Sequence, residues 1–118
     1  MKQSSSNSPL GEFEHVVLLT LVRLGDKAYG MSVRSTIHEL INRDISIGAI
    51  YTTLDRLQKK GYVESRLGEA TARRGGRAKK YFSVTTKGRK ALKEARANFE
   101  VLWQGIQIRC PDNALGNG

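Results

Sequence analysis

The stretch SIGAIYTTLDRLQKKG, residues 46–61, carries a start signal, a periodic stripe and a stop signal for one helix. Ser46 can cap it, because a serine hydroxyl oxygen accepts from a first-turn amide that has no intrahelical partner. Ile47, Ile50, Leu54 and Leu57 return at helical spacing and form an inward face. Gly61 supplies a left-handed stop. The opposite face displays Gly48, Tyr51, Thr52, Asp55, Arg56 and Lys59. Gly48 is its odd member: glycine costs a helix about 1 kcal/mol against alanine, so something is expected to approach the backbone there.

Upstream, Val33, Ile37, Leu40 and Ile41 mark a second amphipathic helix, preceded by a turn from Asp26 to Gly30. Before that turn, Pro9 can open a first helix on which Phe13, Val16, Val17, Leu21 and Leu24 recur, until Gly25 ends it. Leu18 and Leu19 add to its apolar surface, so it is expected at the centre of the core.

Downstream, segments 62–67 and 81–85 are short and rich in aromatic and β-branched residues. The polar Gly/Arg stretch between them makes a β-hairpin with a long basic loop. Thr85 can cap a last helix on which Leu92, Ala95, Phe99, Leu102 and Ile106 follow at steps of 3, 4, 3 and 4, with Trp103 beside them. The expected fold is mainly α with a small β-hairpin: a winged helix-turn-helix over residues 10–85, then a helix over 86–109. Polar tails, 1–9 and 110–118, are expected to be disordered. A helix of about 20 residues rises roughly 30 Å, longer than such a core needs, so this one is read as a dimer seam. Phe99 and Trp103 could instead line a cavity between subunits and stack on a flat aromatic effector, though aromatic residues at helical spacing more often simply pack.

The 118 residues hold 20 Lys plus Arg against 11 Asp plus Glu, a formal net charge of +9. That length fits one domain. Residues 1–58 carry six charges of each sign, so the whole excess lies beyond Gln58. Residues 66–93 hold ten of the positive charges and only one acid, Glu69. Such a block seeks a polyanion, and nucleic acid is the commonest one in a cytosol. No apolar run reaches the roughly 20 residues that cross a bilayer, and no signal-peptide apolar region is visible, so a cytoplasmic location without membrane contact is expected. Cys110 stands alone, and His15 and His38 fall on different helices without acids at ligand spacing. No metal, cofactor or catalytic constellation emerges, and an enzyme is not expected.

Tyr29 and Gly30, then Ser46, Gly48, Tyr51, Leu54, Leu57 and Gly61, and the run Lys80, Tyr81, Phe82, Ser83, Val84, Thr85 with Gly88 and Arg89 resemble PadR-family transcriptional regulators. The likeness spans roughly residues 10–107. It implies a homodimeric bacterial repressor with an N-terminal winged helix and a C-terminal dimerisation helix. It also implies that Gly48, Tyr51 and the third-helix surface face DNA, and that the loop of Arg73, Arg74, Arg77 and Lys79 is the wing. A single C-terminal helix looks like the short subfamily, which leaves effector binding open.

Read by their own chemistry, Tyr51 can donate to a phosphate, Thr52 can touch a base edge, and Arg56 can reach phosphate or guanine. Ser46 and Lys59 complete the expected contact set on this helix. The loop arginines suit a narrow minor groove or a phosphate row. The expected partner is therefore double-stranded DNA. The alternative is a winged-helix module that binds RNA or an acidic protein partner.

Overall fold

A computed structural model describes residues 9–68 and 79–110. The element order is α1 (Glu12–Leu24), a 3-10 turn (Gly25–Lys27), α2 (Gly30–Ile41), α3 (Ile47–Lys59), β1 (Val63–Leu67), β2 (Lys80–Val84) and α4 (Thr86–Trp103). The fold is a winged helix: three packed helices, a two-stranded antiparallel sheet and an appended helix. Val63 pairs with Val84 and Leu67 with Lys80 at the two ends of the sheet.

The core is built where the helical stripes meet. Val17, Leu18 and Leu21 of α1, Val33 and Ile37 of α2, and Ile50, Leu54 and Leu57 of α3 are buried together with Tyr62, Val63, Phe82 and Leu92. Burying each large side chain contributes roughly 1.5–3 kcal/mol, which makes this cluster the main source of stability. Several expectations need correction. Leu19 lies on the outer side of α1 and is half exposed. Leu40 and Ile41 are also half exposed, because α2 runs past the core before Asn42 ends it in a left-handed conformation at φ 55°. Pro9 precedes α1 rather than opening it. The cap is Gly11, whose N–H donates to Glu14 Oε1 at 2.9 Å.

The third helix begins and ends where its sequence signals lie. Ser46 Oγ accepts from Ala49 N–H at 3.1 Å. At the other end, Tyr62 N–H donates to Leu57 O and Gly61 N–H to Gln58 O, with Gly61 at φ 82°. This double closure satisfies carbonyls that the helix leaves open and turns the chain directly into β1. The turn before α2 does more than reverse the chain. Phe82 N–H donates to Ala28 O at 2.9 Å, and Tyr29 bridges Tyr81, so β2 is flanked on both sides.

The last helix divides into two parts. Thr85 Oγ1 caps it by accepting from Gly88 N–H at 3.0 Å. Gly88 and Leu92 are buried and Ala91 and Ala95 half-buried, so its first turns belong to the domain's own core. From Arg96 to Cys110 every residue is exposed. Although the helix was expected to reach residue 109, it ends at Trp103, where Gln104 turns extended and Gly105 takes φ 77°. Ile106 therefore lies beyond the helix, its N–H donating to Trp103 O at 2.9 Å.

Candidate nucleic-acid interface

The outward face of α3 is open. Gly48, Thr52, Asp55 and Lys59 are exposed along it, flanked by Tyr51 and Arg56. Gly48 settles a question the sequence raised: a Cβ built there meets nothing within 4 Å, so packing inside the chain does not require a glycine. Ser46, Gly48, Tyr51, Thr52, Arg56 and Lys59 are thus brought onto one helix and its cap, though not in one state.

Tyr51 is held from two sides. A Cβ on Gly30 would collide with the Tyr51 ring and hydroxyl, so Gly30 is the notch that lets this ring lie against the start of α2. The Phe82 ring stands 6.4 Å away, centre to centre, on the other element. The ring remains 43% exposed, enough to meet a partner from a fixed position. Lys59 is engaged by Asp55 at 3.3 Å, an exposed i, i+4 pair that gives way readily to a stronger anion.

Arg56 has a partner within the chain that no local pattern announces. Its Nε lies 3.9 Å from Oε2 of Glu14, a carboxylate that is only 5% exposed. Lys60 Nζ holds the other oxygen at 2.8 Å, and Gly11 N–H donates to that same oxygen. Burial pushes the Glu14 carboxyl up, but the Lys60 and Gly11 hydrogen bonds and the Lys60 and Arg56 charges outweigh it and hold the group below its ordinary value. Sequence reading missed Glu14 and Lys60, because 46 residues separate the pair and no local pattern joins them.

At the base of the hairpin, cations lie over aromatic faces. Lys79 Nζ stands 4.2 Å from the centre of the Tyr29 ring and the Arg66 guanidinium 4.9 Å from that of Tyr81, while the two tyrosines meet edge to face at 5.7 Å. Such contacts orient charges that remain in water. Lys79 is therefore tied to the domain body, whereas Arg73, Arg74 and Arg77 lie outside the described residues. Exposed Arg66, Lys80, Lys87, Arg89, Lys90 and Lys93 extend the basic surface along the sheet and into the first turns of α4.

The residues expected at a dimer seam separate in the same way as α4. Leu92 fills its own chain's core, while Phe99, Leu102, Trp103 and Ile106 are each more than half exposed. Ala95, Phe99 and Leu102 line an open groove of about 360 Å³ with Pro9, Leu10 and Tyr62, and Lys87, Lys90 and Glu94 give it charge. Trp103 does not line it. Among the described residues, no His, Cys, Asp and Glu side chains cluster as metal ligands, and no helix is long and apolar enough to cross a membrane.

An α3 with an open outward face, braced by α2 and set beside a hairpin and a basic surface, defines a winged helix-turn-helix protein of the nucleic-acid-binding kind. A match to the Transcriptional regulator PadR-like family covers residues 18–94, and the chain belongs to that family. It is 35% identical over 107 residues to transcriptional regulator YqjI of Escherichia coli, an alignment that covers 89% of this chain. The chain spans about half the length of that relative, 47%. A PadR-like transcription factor from Bacteroides fragilis is similar at 26% identity and a TM-score of 0.64, with 76% of this chain and 82% of that one covered. A PadR-like transcriptional regulator from Bacillus cereus shares the fold at 24% identity and a TM-score of 0.64, covering 90% and 92%. The family and these relatives are regulators of transcription rather than enzymes.

Proposed function

We propose that the chain is a sequence-specific DNA-binding regulator that acts as a homodimeric repressor on a palindromic operator. The observation that carries this reading is the exposed face of α3, with Gly48 facing open space that no part of the chain fills. Ser46, Gly48, Tyr51 and Thr52 meet base edges and nearby sugar, Arg56 and Lys59 meet phosphate, and the loop of Arg73, Arg74, Arg77 and Lys79 serves as the wing. Its partner is double-stranded DNA, and its place of work is the cytoplasm, where bacterial DNA lies.

Two copies joined through Ala95, Phe99, Leu102 and Trp103 set their reading helices about 34 Å apart, in successive major grooves. The groove beside Phe99 is of ligand size, and a flat aromatic effector stacked there releases the repressor from its operator. A gel-shift titration against DNA upstream of the protein's own gene, with random duplex as competitor, tests the reading. The expected result is a preferred site whose affinity falls on the order of 10³-fold between about 50 and 200 mM salt, as 6–10 neutralised phosphates require. Equal affinity for the competitor, or binding indifferent to salt, overturns it.

A further inference from the structure

The contacts around Glu14 assign it a task beyond holding α1 to α3. One buried carboxylate faces two cations from the end of the reading helix: Lys60 at 2.8 Å and Arg56 at 3.9 Å. Lys60 is the closer and the more enclosed of the two, its side chain 24% exposed against 55% for Arg56. Lys60 is thus the principal counter-charge of Glu14, and Arg56, the more distant partner, stays half in solvent. The atom of Arg56 nearest the carboxylate is Nε, which leaves the two terminal amino groups as donors for another anion. The carboxylate cannot follow its partners outward, because Gly11 N–H and Lys60 hold its Oε1.

We propose that Glu14 is a positioning residue for DNA recognition: it fixes the Arg56 guanidinium at the end of α3, so that its terminal amino groups clamp one phosphate at one register. This rests on the DNA-binding role of α3 proposed above. Arginine on a flexible stem is a poor register mark unless something orders it, and phosphate contacts set the register from which base contacts are made. A buried anion beside the interface otherwise opposes DNA binding, so its effect on specificity separates the two roles.

The test is an anisotropy titration of the full chain on its preferred site and on random duplex of equal length, at one salt concentration. Glu14→Gln adds one positive charge to each subunit, which by charge alone tightens both duplexes equally. The expected result is a specific-to-random affinity ratio that falls about tenfold, the low end of one base pair's worth of discrimination, while random binding holds or tightens. Glu14→Asp keeps the charge but withdraws the carboxylate by about 1.5 Å, and it lowers the ratio too. It also carries the test should Glu14→Gln fail to fold. In an Arg56→Ala background neither Glu14 variant lowers the ratio further. Equal tightening on both duplexes, or a Glu14 effect that persists without Arg56, overturns the proposal. A wild-type chain with no preferred site overturns the DNA-binding reading itself, whereas a preference that survives both Glu14 variants overturns only this one.

Discussion

Gly48→Ala sets stability against recognition at one methyl group. Gly48 is the second residue of α3, after Ser46 and Ile47, and a Cβ there meets nothing within 4 Å. The substitution therefore introduces no clash and removes backbone freedom from the unfolded chain, a gain of about 0.5–1 kcal/mol. For a domain of this size that raises the melting temperature by about 2–8 °C. Binding should change in the opposite direction, because in the proposed complex the new methyl group stands where the α3 backbone approaches DNA. Loss of a close contact at the low end of base discrimination, about 1.4 kcal/mol, weakens specific binding about tenfold. Thermal unfolding followed by circular dichroism reads the first quantity, and anisotropy titration on the preferred site reads the second. Gly30→Ala is the contrasting control: its Cβ meets the Tyr51 hydroxyl and ring and must displace them, so binding falls without the gain in stability. If Gly48→Ala stabilises the fold and leaves specific binding unchanged, DNA does not approach α3 at its first turn and the reasoning fails.

Three further outcomes follow from the same geometry. Gly88→Ala places a Cβ against the Tyr62 carbonyl oxygen and 2.8 Å from Val84 Cγ1, so α4 must lift from the sheet. Overpacking of this kind destabilises by about 1–3 kcal/mol, and an unchanged denaturant midpoint argues against the helix-to-strand contact. Glu14 ionises in the folded chain below its ordinary value of 4.5, so its contribution to stability is fully present above about pH 4.5 and is lost as pH falls through the folded value. The stability difference between wild type and Glu14→Gln should shrink over that acid range, and a difference constant from pH 7 to 3 contradicts the assignment. Leu102→Asp, at a position 66% exposed in the single chain, should convert a dimer to a monomer in light scattering without lowering the amount of folded protein. A mass that stays dimeric places the seam elsewhere.

Features decided within a few residues were readable in the sequence. The start and stop of α3 depend on Ser46 and Gly61, and both act as their chemistry predicts. Features that join distant segments were not readable. The Glu14 to Lys60 contact spans 46 residues, and a single bridge between Tyr29 and Tyr81 has no period to detect. Periodicity also misled where it outran the core: Leu40 and Ile41 continue the stripe of α2 but lie beyond its packing partners. In α4 the stripe runs on to Ile106, yet Gly105 takes a left-handed conformation and the helix stops at Trp103. A stripe reports that a face is apolar; what that face packs against depends on the rest of the chain.

Tyr62 joins the end of α3 to the start of α4. Its N–H closes α3 by donating to Leu57 O, and its carbonyl accepts from Thr85 N–H at 3.0 Å, just before α4 begins. Gly88 abuts the same carbonyl, and the Lys87 ammonium stands 5.6 Å from the centre of the ring. The residue is 2% exposed, so the end of α3 and the start of α4 are packed directly around it. The ring also lines the groove that holds Phe99 and Leu102. A second copy or an effector seated in that groove, as proposed above, would therefore touch the residue that terminates α3. In the dimer proposed above, a change in the tilt of α4 would reach α3 through Tyr62 and alter the distance between two major-groove contacts.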